Sequence, residues 1–194
     1  SPQAVLSAEK LILPGVGAFG DAMANLRQRG LDEPIRQYVQ QDRPLLGICL
    51  GLQLLFSVGT EDGEHPGLGL LGGSVRRFDF SELPDGHDLA IPHMGWNSLR
   101  WDRPCPLLEG LQRGAYAYFV HSYHVVPDDP AVVATTTDYG YPFISSIRRG
   151  NLMACQFHPE KSQAVGLKMI ENYVNMSAGI PATEPSAHGH PAGH

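Results

Sequence analysis

Short apolar runs alternate along the first third of this chain with stretches whose apolar positions recur at helical spacing. Residues 4–10 lead into Leu11-Ile12-Leu13, a three-residue apolar strand stopped by Pro14-Gly15-Val16-Gly17-Ala18-Phe19-Gly20. Asp21 then reads as the N-cap of a helix with Ala22, Met23 and Leu26 as its apolar positions. A second helical piece follows Pro34 and gathers Ile35, Tyr38 and Val39 on one face. Next comes an apolar strand that ends at Gly47-Ile48-Cys49, and a further apolar run of helical character follows it through Phe56. Strand, helix, strand, helix in this order predicts right-handed βαβ units, a parallel sheet and an α/β fold.

Beyond Phe56 the pattern shortens. Residues 59–73 are rich in Gly, carry Glu61, Asp62 and Glu64, and read as a surface loop. Strand-like pieces then alternate with turns such as Pro84-Asp85-Gly86. Residues 116–126 alternate as one strand, and residues 131–137 form a β-branched run. Residues 143–147 and 152–157 flank Arg148-Arg149-Gly150-Asn151, a hairpin turn. Ser162 reads as the cap of a last helix striped by Val165, Met169, Ile170 and Tyr173. From Ser177 onward, Ala, Pro, Gly and His dominate, the texture of a disordered tail. The expected organisation is one domain over residues 1–176 and a tail over 177–194.

The 194 residues are enough for a single sizeable core. A formal charge of -6 without clusters of Lys and Arg argues against nucleic acid and anionic membranes as partners. No apolar run reaches the length that spans a bilayer, and the first residues lack the regions of a secretory signal. Cys49, Cys105 and Cys155 form an odd, sparse set without C-x-x-C spacing, which points to a reducing, cytoplasmic setting with neither a disulfide framework nor a zinc site. His188, His190 and His194 sit in the tail and read as part of it.

The chemistry concentrates at three strand ends. Cys49 lies between Gly47 and Gly51, the cysteine form of the G-x-S-x-G nucleophile elbow. A nucleophile on a tight strand-to-helix turn is forced out of the backbone, and a Cβ two residues to either side would crowd that turn. A helix N-terminus favours a thiolate, so this position is expected to activate the thiol. A small buried cysteine ending a core strand is the other reading, and the flanking glycines favour the first. His158-Pro159-Glu160 also follows an apolar strand and precedes a helix. Residues i and i+2 of an extended chain point the same way, so Glu160 can orient the imidazole of His158, as a cysteine nucleophile requires of its base; a strand-end histidine beside a solvated glutamate fits the same residues. Gly15-Val16-Gly17-Ala18-Phe19-Gly20 matches G-x-G-x-x-G, yet no acidic residue ends the next strand as a dinucleotide site demands. Backbone N–H groups facing an oxyanion, together with that of Leu50, are the alternative use of this segment. Cys155 lies mid-strand with no glycine turn and reads as core. Gln53, four residues after Cys49, is placed either to reach a polar substrate or on an exposed helix face. Trp96 and Trp101 read as packed aromatics or as a partner surface.

Gly47-Ile48-Cys49-Leu50-Gly51-Leu52-Gln53 and His158-Pro159-Glu160 resemble the motifs of class I, triad-type glutamine amidotransferases. Pro14-Gly15-Val16-Gly17-Ala18-Phe19-Gly20-Asp21, Pro92-His93-Met94-Gly95-Trp96-Asn97, Tyr118-Phe119-Val120-His121-Ser122-Tyr123 and Gln156-Phe157-His158-Pro159-Glu160-Lys161-Ser162 narrow the likeness to the branch of that family serving histidine biosynthesis. The resemblance covers about residues 11–174. It implies an open, mostly parallel central sheet flanked by helices in three flavodoxin-like layers, with additional antiparallel strands. It further implies Cys49 as nucleophile, His158 as base and acid, and Glu160 as the residue orienting it. The oxyanion would be held at Val16, Gly17 and Leu50, and glutamine by Gly15, Gly51, Gln53, Ser122 and Tyr123. Trp96, Tyr118 and Lys161 would face a (β/α)8-barrel cyclase that takes up the ammonia, with no cofactor or metal. Family members carry a further strand-helix-strand ahead of the position of Ser1, so the resemblance also implies an opening strand absent from this chain. A stand-alone γ-glutamyl or cysteine hydrolase and a non-catalytic interaction subunit are the other functions these residues allow.

Overall fold

The structure, a computed structural model, describes residues 1–84 and 88–177. The expected tail beyond Ser177, with His188, His190 and His194, lies outside the described residues, as do Asp85 and Gly86 of the turn expected there. The first elements are α1 (Pro2–Ser7), β1 (Leu11–Leu13), α2 (Phe19–Gln28), α3 (Asp32–Gln40), β2 (Leu45–Ile48) and the one-turn helix α4 (Leu50–Gln53). β3 (Phe56–Gly59), β4 (His65–Pro66), β5 (Leu71–Arg77), β6 (His93–Ser98), β7 (Tyr116–His121) and β8 (Tyr123–Pro127) follow. β9 (Val133–Tyr139), β10 (Tyr141–Arg149), β11 (Leu152–Cys155) and α5 (Gln163–Asn175) complete the described chain.

The main sheet runs β1-β2-β11-β10-β8-β5-β3-β4, with β9 paired to β10. β2 is parallel to β1 on one side and to β11 on the other, in the register Leu13↔Gly47 and Ala154↔Gly47. This parallel ladder brings the ends of β1, β2 and β11 to one rim, where the three predicted motifs begin. β3 and β5 are also parallel, while β10 and β8 bring in the additional antiparallel strands. β6 and β7 form a separate antiparallel ribbon.

Both faces of the central strands are covered, the reason they read as unbroken apolar runs. Leu45, Leu152 and Ala154 pack with Phe19, Met23, Ile35, Tyr38 and Val39 of α2 and α3. Leu46, Ile48, Met153 and Cys155 turn the other way onto Met169 and Tyr173 of α5. Each of the large side chains buried in these layers contributes roughly 1.5–3 kcal/mol. The α/β layers expected from the first third are therefore present.

Five local expectations are corrected. Asp21 does not cap α2, which starts two residues earlier at Phe19; the Phe19 N–H donates instead to Glu61 Oε2 at 2.9 Å. α3 likewise begins at Asp32, before Pro34. Residues 116–126 are two strands in different sheets, parted at Ser122, because alternation continues unbroken across a change of partner. Ser162 precedes α5 but makes no side-chain cap; its hydroxyl is engaged elsewhere, as described below. The loop over residues 59–73 is also less exposed than its composition implies, since Leu68 and Leu71 are buried.

Candidate active site

β2 ends in a sharp turn at Cys49, whose backbone is held at φ 53° and ψ -109°, a region costly for any residue with a Cβ. The glycines explain how the turn closes. A Cβ on Gly47 would stand 2.9 Å from both Ala154 Cβ and Gly51 O, and one on Gly51 would stand 1.8 Å from the Leu13 carbonyl oxygen. The one-turn helix α4 therefore packs directly onto the end of β1, and Cys49 N–H is anchored on Cys155 O at 2.8 Å.

β11 delivers the second group. His158 N–H donates to Tyr118 O at 2.9 Å, and the Ser162 hydroxyl donates to His158 O at 2.6 Å while accepting the Tyr118 N–H at 2.9 Å. That double use is why Ser162 caps no helix. Within this clamp His158 Nδ1 lies 2.6 Å from Glu160 Oε1, so the ring carries its proton on Nδ1 against the carboxylate. Nε2, the other ring nitrogen, is buried and has no hydrogen-bond partner among the described residues. His158 is buried and Glu160 half-exposed.

A cleft of about 350 Å³ joins these groups. Cys49, Leu50, Val16, Gly17, Gln53, Ser122, Tyr123, His158 and Lys161 all line it. Of the predicted glutamine-binding residues, Gly15 and Gly51 do not reach its surface; a Cβ on Gly15 would press 3.1 Å from Leu50 Cβ, so both glycines serve close packing behind the cleft. Gln53 is buried, not on an exposed helix face. Lys161 lines the cleft itself, whereas Trp96 and Tyr118 lie outside it on the β6–β7 ribbon, their rings edge-on at 6.0 Å. Glu61 and His121 also line the cleft and were not singled out in the sequence. Glu61 sat in a loop of surface composition; its fold partner, the Phe19 N–H, is 42 residues away.

The resting thiol is not the activated one expected from a helix terminus. Burial pushes Cys49 up to about 11, outweighing the Leu50 N–H and the Gln156 carboxamide, which hydrogen-bond to the sulfur and act in the opposite sense. α4 is a single turn, too short to offset the loss of water. Cys155 is fully buried, its thiol donating to Phe157 O at 3.4 Å, and is core as read from its position.

A thiol on a strained elbow and an imidazole held by a carboxylate share one cleft at the ends of parallel strands, the layout of a candidate thiol-hydrolase or transferase site on an α/β sheet. The family model described as "Glutamine amidotransferase class-I" matches residues 6–176, and the chain belongs to that family. Within it the chain is similar to "Imidazole glycerol phosphate synthase subunit HisH" of Syntrophotalea carbinolica, 52% identical over 175 residues, 90% of this chain and 85% of that protein. The subunit of the same name from Aquifex aeolicus is 55% identical over 166 residues, 86% of this chain and 77% of that protein. These relatives set the chain in the HisH branch. Among solved structures, one described as a glutamine amidotransferase superposes with a TM-score of 0.63 at 22% identity, covering 89% of this chain and 83% of that one. The PurLQS structure from Thermotoga maritima gives 0.64 at 20% identity, covering 86% and 79%. At that identity the likeness speaks for the fold alone. No helix among the described residues is long and apolar enough to cross a membrane.

Proposed function

We propose that this chain is the glutaminase subunit of an imidazole glycerol phosphate synthase and that Cys49, His158 and Glu160 are its triad. The observation that carries the reading is the bare, buried Nε2 of His158 in the same cleft as a thiol on a strained elbow, with Glu160 holding the opposite ring nitrogen. The Sγ–H proton passes to Nε2, and the sulfur attacks the side-chain amide carbon of glutamine. The oxygen of that amide gains the negative charge and is held by the Leu50 N–H and the backbone at Val16 and Gly17, where each donor is worth roughly 10²–10³ in rate. The imidazolium returns its proton to the amide nitrogen, the C–N bond breaks and ammonia leaves. Water, deprotonated by His158, then hydrolyses the thioester to glutamate and restores the thiol.

Glu61 and the free oxygen of Gln53 suit the α-ammonium of the substrate, because both Gln53 amide hydrogens are already committed. The outward side of the β6–β7 ribbon, with Met94, Trp96 and Tyr116 exposed, is the face offered to a (β/α)8-barrel cyclase that receives the ammonia. A thiol with its pKa near 11 and without a bond to His158 suits a site that stays quiet until that partner docks, so the isolated chain turns glutamine over slowly.

The test is labelling of the full chain, with its cyclase, by an electrophile built on a glutamine skeleton. Modification of the Cys49 peptide in wild type and its loss in His158→Asn are expected; labelling of Cys105 instead, or none, would overturn the reading. Cys49→Ala should abolish glutamine-dependent synthesis while added ammonia still supports the cyclase.

A further inference from the structure

Gln156 follows the last residue of β11 directly, and its wholly buried side chain reaches the Cys49 sulfur. Its Nε2 donates to Cys49 Sγ at 3.7 Å, and its Oε1 accepts from Gln53 Nε2 at 3.1 Å. The orientation of these amides is not free. Gln53 Nε2 also lies 3.2 Å from Tyr123 O, a backbone carbonyl that can only accept. Gln53 must therefore present its NH₂ group to both neighbours, which fixes the Gln156 oxygen on Gln53 and aims the Gln156 N–H at the sulfur.

The same carbonyl sets a second row of groups. His121 Nδ1 lies 2.8 Å from Tyr123 O and so carries the hydrogen, leaving its Nε2 to accept from His93 Nδ1 at 3.0 Å. His93 Nε2 in turn accepts from Asn97 Nδ2 at 3.3 Å. Gln53 and His121 thus both donate to one carbonyl, which settles the orientation of Gln156 behind the first and of His93 behind the second.

We propose that Gln156 positions the Cys49 thiol for ionisation, its carboxamide N–H being locked onto Sγ through Gln53 and the Tyr123 carbonyl. The inference rests on Cys49 being the nucleophile. When the Sγ–H proton moves to His158 Nε2, the electron pair left on sulfur faces the Gln156 N–H, and a weak bond to a thiol becomes a charge-assisted bond to a thiolate. The donor needs no reorganisation at that moment, the condition under which such groups accelerate a reaction. Gln156 and His158 are two residues apart in the bend that follows β11, so one strand end supplies both the proton acceptor and the donor that stabilises the resulting anion.

The experiment compares the full chain in wild-type, Gln156→Met and Gln156→Glu forms, each verified as folded by near-ultraviolet circular dichroism. Between about pH 7 and 9 the rate of Cys49 alkylation by iodoacetamide follows the thiolate fraction, read on the Cys49 peptide by mass spectrometry. Gln156→Met is expected to alkylate about tenfold more slowly at every pH, the equivalent of one pKa unit. Gln156→Glu should be slower again, because it sets a negative charge beside the sulfur. If Gln156→Met fails to fold, Gln156→Glu, which matches glutamine in shape, carries the comparison. With the cyclase present, kcat for glutamine should fall by about the same factor with KM unchanged. A wild-type alkylation profile in the folded variants, or a change in KM alone, would overturn the proposal. Alkylation needs no glutamine, so a failure of the glutaminase reading would show separately, as an absence of turnover in wild type.

Discussion

The amide nitrogen of Tyr118 and the carbonyl oxygen of His158 are bridged by one hydroxyl, that of Ser162, at 2.9 and 2.6 Å. Tyr118 belongs to the exposed β6–β7 ribbon and His158 to the cleft, so the ribbon and the imidazole are joined through a single buried side chain. The direct bond from His158 N–H to Tyr118 O doubles the link. A displacement of β7 cannot leave the His158 turn where it was.

Ser162→Ala removes that bridge and strands a backbone N–H. The cost of an unmet buried donor is about 1–3 kcal/mol, which should appear as a fall of several degrees in the thermal midpoint. The kinetic effect should lie in kcat, because the imidazole loses its fixed position while the substrate contacts stay. Calorimetry beside steady-state kinetics of the complex checks both. A variant with the wild-type midpoint and kcat would show that the Tyr118 bond alone holds the turn.

Two glycines of the site should respond very differently to alanine. Gly51 has the Leu13 carbonyl 1.8 Å from where a Cβ would sit, so Gly51→Ala must part α4 from β1 and with it displace the elbow. Gly17 has open space around it, and its substitution meets only the strain of φ +95°, on the order of 1–3 kcal/mol. Gly17→Ala should therefore fold with a modestly lowered midpoint, whereas Gly51→Ala should yield little soluble protein. Equal yields and midpoints would contradict the close contact.

The elbow, the His158 stretch and the last helix were legible in the sequence because residue type and spacing mark them directly: paired glycines, a proline and an apolar stripe. Gly47 and Gly51 are required by atoms within the turn and the strands beside it, and Pro159 fixes its own backbone. What escaped notice depends on contacts far apart along the chain. Glu61 caps α2 from 42 residues away, and Gln156 acquires its role only by meeting Cys49, 107 residues distant. The two sheets entered by residues 116–126 cannot be told apart by alternation, since the period of two is the same in both. The reactivity of Cys49 followed the same rule: the elbow was readable, but the burial that raises the thiol is set by the whole fold.

Acid should destabilise this protein earlier than its carboxylates alone would. Burial lowers His93 to about 4 and His121 to about 3, so both rings stay neutral in the folded chain while an unfolded histidine takes up a proton near pH 6.5. Phe78, Phe119 and Phe143 pack around the pair, while His124 and His158 act on His121 as further repelling charges whenever they are protonated. The folded pKa values are depressed, so the unfolded state binds more protons as pH falls below about 6.5. The stabilisation from neutral His93 and His121 is complete above that value and is lost progressively as pH falls toward 3. Denaturant titrations at about pH 7, 6 and 5 should show unfolding free energy falling steadily, with proton uptake on unfolding. A flat profile from pH 7 to 5 would mean that these rings ionise without unfolding.

The exposed ribbon offers a direct test of the proposed docking face. Trp96 is 46% exposed and touches Tyr118 edge-on, so Trp96→Ala removes little that holds the subunit together. An aromatic anchor at the centre of an interface is typically worth about 2 kcal/mol or more, a rise in the dissociation constant of roughly thirtyfold. Titration calorimetry against the cyclase should show that weakening while the thermal midpoint of the isolated subunit stays within about a degree. Glutaminase activity of the complex supplies the second readout, since the ribbon is joined to His158 through Tyr118 and Ser162. Trp96→Ala should therefore need more cyclase to reach half-maximal glutaminase activity, with the same plateau once saturated. A variant that binds normally but never reaches that plateau would instead make Trp96 part of the signal between the ribbon and the cleft.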